Sequence, residues 1–232
     1  MTSLPVELHV AGARCVVVGG GRVAARRVRS LVTAGAAVEV VAPEVGEDLV
    51  ALVAAHGLRH VERTVERGDL DPVDGRRVVL VVTATDRAEV NASVADWARS
   101  SGALVNRADD AAAGDLAFPA VVERGPLRVA VSTGGASPTV SRWAAARVDE
   151  GLDQLLGLDA RGLALLVEVF AEVRAELRAA AGRPPGSSGA VGGGTRMDLV
   201  DWRSALDGSI LDLIHRGRRA EAKERLLACL SS

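Results

Sequence analysis

Several residue types are scarce in this chain of 232 residues. It contains no tyrosine, two phenylalanines, three tryptophans and two cysteines. The absence of tyrosine excludes the reductases that relay a proton through a Tyr/Lys pair. Cys15 and Cys229 form no disulfide framework, which favours a reducing, cytoplasmic setting. Cys15 lies in a run typical of a buried strand, so we expect an inert core thiol.

No charge of either sign predominates, since 28 Lys and Arg residues balance 30 Asp and Glu residues. This balance gives no indication of a nucleic acid or an anionic membrane as partner. No apolar run approaches the roughly 18 residues of a transmembrane helix, and residues 1–8 lack the features of a secretory signal. The four histidines are not spaced as zinc ligands. We therefore expect a cytoplasmic protein that has no metal site and binds neither membrane nor nucleic acid.

A glycine turn follows the first strongly apolar run. Residues 15–18 are Cys-Val-Val-Val, three glycines follow at 19–21, and a run of helix formers then continues to Gly35. This order predicts a strand, a tight turn and a helix whose N-terminus could receive a dinucleotide pyrophosphate. The motif Gly19-x-Gly21-x-x-Ala24 alone also fits ordinary turn chemistry. Its place between a strand and a helix favours nucleotide binding.

The second predicted strand, 37–41, does not end in the acid that usually contacts the ribose of a dinucleotide. Glu39 lies inside the strand and is expected to face away from the nucleotide, and the next acid, Glu44, comes after Pro43. The strand end therefore leaves the choice between NAD and NADP open.

Further strands are predicted at 58–65, 78–82 and 104–106, with helices at 47–55 and up to Ser100. Thr85 and Asp86 follow the fourth strand, at the sheet edge where ligands of α/β folds collect. Asp86 could instead cap the next helix, in a capping box with Glu89. The alternation of strands and helices predicts an α/β Rossmann-like parallel sheet over residues 1–112.

The pattern changes after residue 112. Two strands around Gly125-Pro126 are followed by a helix with Ser137 as N-cap and Pro138 in its first turn, so residues 113–150 read as a small α+β segment. Residues 151–232 read as a helical unit, with apolar stripes that include Leu199 and Trp202. Within it, the Gly/Pro-rich stretch 181–195 is predicted to be a mobile loop.

Several motifs in one order resemble the siroheme synthase amino-terminal family, the precorrin-2 dehydrogenases of which some are also sirohydrochlorin ferrochelatases. The resemblance covers residues 4–150 and rests on Leu4-Pro5, Val18-Gly-Gly-Gly-Arg-Val-Ala24, Ala84-Thr85-Asp86, Val105-Asn106-x-x-Asp109, Phe118-Pro119-Ala120 and Ser132-Thr-Gly-Gly-Ala-Ser-Pro138.

This resemblance implies a homodimer, formed through residues 113–150, that oxidises precorrin-2 to sirohydrochlorin with NAD⁺. Bifunctional members of the family then insert Fe²⁺. The resemblance assigns the cofactor to Gly19, Gly20, Gly21, Arg22, Val23, Pro43 and Glu44, beside the sheet-edge residues Thr85 and Asp86. For the tetrapyrrole it implies Asn106, Ser132, Thr133, Gly134, Gly135 and Ser137.

The resemblance also implies that Asp109 is the catalytic carboxylate, for the oxidation and for chelation. Asp109 lies just after a predicted strand, where a base could take a proton as hydride leaves the substrate. The alternative is that Asp109 and Asp110 are a solvated loop pair. Two adjacent carboxylates tend to raise one pKa, which would suit a base near neutral pH.

A substrate with eight carboxylates is expected to need a cationic rim. The candidate arginines are Arg107, Arg124, Arg128, Arg142 and Arg147. Arg107 replaces an apolar residue of the family motif and is expected to leave Asp109 untouched. A non-catalytic NAD-sensing module is the alternative function, although such modules typically carry the strand-end acid that is missing here.

Overall fold

A parallel five-stranded sheet forms the first of two compact units, Met1–Pro119 with Thr133–Ser137. The computed structural model describes residues 3–180 and 206–230. The strand order is β3-β2-β1-β4-β5, and every neighbouring pair is parallel. This arrangement confirms the predicted α/β Rossmann-like fold. The elements of this unit are β1 Arg14–Val18, α1 Arg22–Thr33, β2 Ala37–Val41, α2 Glu47–His56, β3 Arg59–Val61, β4 Val78–Thr83, α3 Ala88–Ser100 and β5 Leu104–Arg107.

Both faces of the sheet are covered by apolar side chains, because successive residues of a strand point to opposite faces. Cys15 and Val17 of β1 belong to a cluster with Val28 of α1, whereas Val16 and Val18 belong to a second cluster with Val94 of α3. Burial raises the pKa of the Cys15 thiol to about 11, so it is an inert core group as predicted. The core thus fixes the register of β1 and, with it, the position of the turn at residue 19.

The region around β2 and β3 differs in part from the sequence prediction. The third strand is limited to Arg59–Val61 rather than 58–65, because Arg63 turns to Asp69 and the chain enters a short 3-10 helix at Arg67. Glu39, inside β2, pairs with the buried Arg14 of β1, whose Nε lies 2.9 Å from Oε1 of Glu39. Arg14 also donates to the backbone carbonyls of Asp69 and Asp71.

The second compact unit comprises Ala120–Ser132 with Pro138–Ser232. An antiparallel hairpin, β6 Ala120–Arg124 with β7 Leu127–Val131, packs on α4 Pro138–Leu156. The remaining helices α5 Ala160–Ala180, α6 Gly208–His215 and α7 Arg219–Leu230 share a separate apolar cluster.

The helix over residues 138–156 is longer than the predicted one and runs through residue 150, where the sequence placed a domain boundary. It begins at Pro138 as predicted. The predicted loop 181–195 and the positions Leu199 and Trp202 lie outside the described residues. Within residues 3–180 and 206–230, no helix has the length and apolar character needed to cross a membrane.

Candidate active site

The glycine turn closes tightly between its two neighbouring strands. Gly19 has φ 123°, and a Cβ there would lie 2.4 Å from the carbonyl oxygen of Ala84. A Cβ on Gly20 would lie 1.8 Å from the carbonyl oxygen of Glu44. The Gly46 N–H donates to the Gly20 carbonyl at 2.9 Å. Glycine is therefore required at positions 19 and 20, because any side chain would push apart the loops that follow β2 and β4.

The N-terminus of α1 lies directly after this turn. Gly21 is the N-cap, no side chain of the described residues caps the helix, and its first turn contains no acidic residue. The backbone N–H groups of the first turn thus remain available to an anion, and the helix dipole favours negative charge there. Arg22 and Val23 are exposed beside them. These features fit the pyrophosphate of a dinucleotide.

The end of β2 presents Pro43 and Glu44 to solvent. Glu39 is paired with Arg14 on the strand itself, so Glu44 is the first carboxylate after β2 that a ribose could reach. The Glu44 backbone packs against Gly20, whereas its side chain is exposed.

The predicted capping box at Asp86 is wrong. α3 begins at Ala88, its N-cap position is Arg87, and no side chain caps it. The Glu89 carboxylate instead accepts from Arg87 at 3.0 Å. The turn is closed by the Thr85 hydroxyl oxygen, which accepts from the Arg87 N–H at 3.2 Å, and Asp86 is exposed.

Asn91, on the buried face of α3, is a residue that the sequence analysis missed. Its side-chain oxygen accepts from the Thr85 hydroxyl at 2.8 Å and from the Thr85 N–H at 3.2 Å, and its amide donates to the Thr85 carbonyl at 3.1 Å. The same side chain helps to lower the pKa of Asp109. Asn91 is therefore hydrogen-bonded to Thr85, after β4, and its side chain also acts on the pKa of Asp109, after β5. Its helical spacing with buried Val94 and Ala95 was the available signal.

Asp109 forms a two-point ion pair with Arg107. The Arg107 Nη2 lies 2.5 Å from Oδ2 of Asp109, and Nε lies 3.2 Å from Oδ1. This guanidinium is the main cause of a lowered pKa for Asp109, which the Asn91 amide lowers further. The expected rise from the neighbouring Asp110 is thus wrong, as is the expectation that Arg107 leaves Asp109 untouched. Asp110 caps the short 3-10 helix after it, accepting from the Ala112 N–H at 3.0 Å.

Asn106 is almost fully buried at the root of the loop that carries Asp109. Its amide donates to the Leu116 carbonyl at 2.9 Å, and Asp115 accepts from the Val105 N–H at 3.0 Å. These bonds close the loop between β5 and residue 116. The Asn106 side-chain oxygen and the nearby strand hydroxyl of Thr83 lack a hydrogen-bond partner among the described residues. A contact of Asn106 with substrate stays a prediction.

Residues 132–137 form a turn that is closed by the side chain of Thr133. The Thr133 hydroxyl accepts from the Ser137 N–H at 2.9 Å, and the Ala136 N–H donates to the Thr133 carbonyl at 3.1 Å. Gly134 and Gly135 have φ values of 62° and 86°, a region that favours glycine. These hydrogen bonds and positive φ values explain why the turn contains a threonine and two glycines. A role of the turn in substrate binding stays a prediction.

Most of the arginines predicted as a cationic rim are paired with carboxylates. Arg124 lies 2.7 Å from Asp149 and 3.1 Å from Asp153, while the other pairs are Arg107 with Asp109, Arg128 with Glu123 and Arg147 with Glu150. The exposed pairs among them, such as Arg128 with Glu123 and Arg147 with Glu150, contribute little to stability, about 0–1 kcal/mol each. An anionic ligand could therefore exchange for these carboxylates at small cost.

Comparison with known proteins agrees with this geometry. A family model described as "Putative NAD(P)-binding" matches residues 6–120. The chain is 33% identical over 230 residues to a siroheme synthase of Nitrosococcus oceani, and 36% identical over 239 residues to one of Chromobacterium violaceum. These alignments cover 99% and 98% of this chain but 44% of each relative.

The chain thus spans less than half the length of these curated relatives. Among solved structures, "SirC, precorrin-2 dehydrogenase" matches with a TM-score of 0.56 and 25% identity, covering 99% of this chain and 100% of that one. With the ordered motifs and the Rossmann-like sheet, these similarities identify the protein as a member of the siroheme synthase amino-terminal family.

Proposed function

We propose that this protein oxidises precorrin-2 to sirohydrochlorin with NAD⁺. The observation that carries the proposal is Asp109, held at both carboxylate oxygens just after β5, in the unit that also holds the glycine turn. Asp109 and Thr85, which is bonded to the buried Asn91, follow the carboxyl ends of β5 and β4, the edge at which parallel sheets bind ligands. A fixed carboxylate on a nucleotide-binding fold suits the removal of a proton alongside a hydride.

The reaction removes two hydrogens from the substrate, one as a hydride and one as a proton. When bound, the nicotinamide ring supplies the hydride acceptor. The turn at Gly19 and Gly20 and the first turn of α1 would hold the pyrophosphate, and the exposed Pro43 and Glu44 would border the ribose. Asp109 would accept the proton at a side-chain oxygen. Asn91 would hold Thr85 and Asp109 in their relative positions.

Insertion of Fe²⁺ into sirohydrochlorin is a second candidate activity. The names of the curated relatives, siroheme synthases, favour it, since siroheme is the iron-containing product. Pyrrole protons must leave as the metal enters, and Asp109 would accept them as it does in the oxidation. The same site would then serve two reactions in succession.

The homodimer implied by the family is also part of the proposal. α4 and the hairpin before it carry exposed apolar side chains, with Trp143 65% and Val121 50% exposed. Such side chains are common where two copies of a chain meet. We place the dimer contact on α4 and the hairpin before it, within residues 113–150.

The direct test is anaerobic conversion of precorrin-2 by the purified protein with NAD⁺ or NADP⁺, followed by absorbance. We expect sirohydrochlorin and NADH to form. Asp109→Ala should lower the rate by about 10²–10⁴-fold, the usual contribution of a positioned base. Asp110→Ala is the matched control, because Asp110 caps a short helix beside the site, and its rate should stay within a few-fold of the wild type.

Two other outcomes would change the assignment. Binding of NAD⁺ without any change in precorrin-2 would favour the sensing module. Equal losses in the Asp109 and Asp110 variants would remove the special role of Asp109.

Addition of Fe²⁺ to the sirohydrochlorin product tests chelation, which should appear in the wild type and fail in Asp109→Ala.

A further inference from the structure

The ion pair between Arg107 and Asp109 leaves the proposed base in an unreactive state. Both carboxylate oxygens are engaged by the guanidinium, and only 12% of the Arg107 side chain and 26% of the Asp109 side chain are exposed. A carboxylate held in this way is stabilised in its ionised form, and its proton affinity is weak. Catalysis by Asp109 therefore requires that this pair open.

Arg107 has the capacity to bind another carboxylate. A guanidinium carries five N–H donors, and no hydrogen bond among the described residues uses Nη1 of Arg107. Asp110 and Asp96 also act on it and help to keep it charged. Exchange of one carboxylate for another on the same guanidinium conserves the charge-assisted hydrogen bonds, so it costs little free energy.

The proposed substrate carries eight carboxylates, so it brings the competing group itself. We propose that a substrate carboxylate binds Arg107 in place of Asp109, and that this exchange releases Asp109 to act as the base. Arg107 is then a positioning residue that keeps Asp109 inactive until the substrate is present. Asn91, which is bonded to Thr85, would keep the released Asp109 in place. This inference rests on the proposed function.

Competition between Asp109 and the ligand can be measured by binding, without turnover. The probe is sirohydrochlorin, titrated at neutral pH without nucleotide into the wild type, Arg107→Val, Asp109→Asn and the double variant. We expect Arg107→Val to weaken binding about tenfold, the effect of losing one charge-assisted pair. Asp109→Asn should tighten binding several-fold, because Arg107 no longer has an internal partner. In the Arg107→Val background, Asp109→Asn should have no effect.

The pH dependence of the reaction provides a readout that a purely structural role would not change. In the wild type, the acid limb of kcat, which reports the substrate complex, should lie at higher pH than that of kcat/KM, which reports the free enzyme. In Arg107→Val the two limbs should coincide and KM should rise. Asp96→Asn and Asp110→Asn, which remove the other charges near Arg107, should preserve the separation.

These results separate the exchange from the proposed function. If precorrin-2 is oxidised but Asp109→Asn weakens binding of sirohydrochlorin, or leaves it unchanged, the exchange is refuted and the dehydrogenase assignment stands. If Asp109→Asn tightens binding but precorrin-2 is not oxidised, the exchange stands and the assigned reaction fails. If the wild type does not bind sirohydrochlorin at all, both are overturned.

Discussion

The backbone of single residues determines the shape of the nucleotide turn. Gly20 and Gly21 are adjacent and identical in type, yet their surroundings differ. A Cβ on Gly20 would lie 1.8 Å from the Glu44 carbonyl, whereas a Cβ on Gly21 would meet no heavy atom within 4 Å. Neither residue has a positive φ, so both adopt backbone conformations that other residue types also adopt. The difference between them is therefore steric.

Substitution of each of these glycines by alanine tests whether the steric contact at Gly20 determines the effect on stability. Gly20→Ala should lower the free energy of unfolding by about 1–3 kcal/mol, the range for overpacking. Gly21→Ala should change it by less than about 0.5 kcal/mol. Denaturant unfolding without nucleotide measures both. Equal effects of the two variants would show that the contact with Glu44 is relieved by a small backbone shift.

At the same scale, sequence reasoning located Asp109 but not its electrostatic state. The short apolar run at residues 104–105 predicts a strand just before Asp109, as observed. The selection of Asp109 as the catalytic carboxylate rests on the family resemblance and stays a prediction. The pKa of Asp109 depends on which neighbouring residue bonds its side chain. Arg107 and Asp110 are both close in sequence, and only coordinates show that Asp109 pairs with the arginine while Asp110 turns to the Ala112 N–H.

Among the elements, α3 organises the candidate site. Its buried face supplies Val94 and Ala95 to the core and Asn91 to the hydrogen bonds with Thr85. All the bonds from Asn91 to Thr85 tie the helix start to the end of β4. Because a polar residue in an apolar stripe resembles a simple interruption of that stripe, its role was not evident before its partners were known.

Removal of the Asn91 amide should affect both stability and turnover. Asn91→Ala leaves the partly buried Thr85 N–H without its acceptor, which costs about 1 kcal/mol of unfolding free energy. Precorrin-2 turnover should fall as well, since Asp109 loses an orienting contact. Ser93→Ala is the control, because its exposed hydroxyl bonds only the Glu89 carbonyl of the same helix. Thermal unfolding and precorrin-2 turnover are measured for both variants. Equal stability and equal turnover of the two would contradict the role of Asn91.

For the whole molecule, the first unit was more predictable than the second. β1 and β4 are continuous apolar runs buried on both faces, which only a covered parallel sheet accommodates. In the second unit the hairpin and the start of α4 were predicted, but the end of α4 was not. Residues 148–156 pack through Val148, Leu152 and Leu156 on the hairpin, and these tertiary contacts continue the helix past residue 150.

The oligomeric state can be tested on α4. Trp143→Glu should convert a dimer into a monomer, because the charge would be buried without a partner in the interface. Val50→Glu, which places the same charge at an exposed apolar residue on α2, should leave the dimer intact. Sedimentation velocity distinguishes the two species. A dimer that persists in Trp143→Glu would exclude this surface as the contact.

In the loop after β2, the main chain is fixed by its contacts while the Glu44 side chain is exposed. Gly20 makes these contacts, through the Glu44 carbonyl and the Gly46 N–H bond. In the proposed cofactor site, residue 44 is therefore a free position for the redesign of cofactor preference. A change from acid to base there would alter the charge offered to a ribose or a ribose phosphate and leave the frame of the turn unchanged.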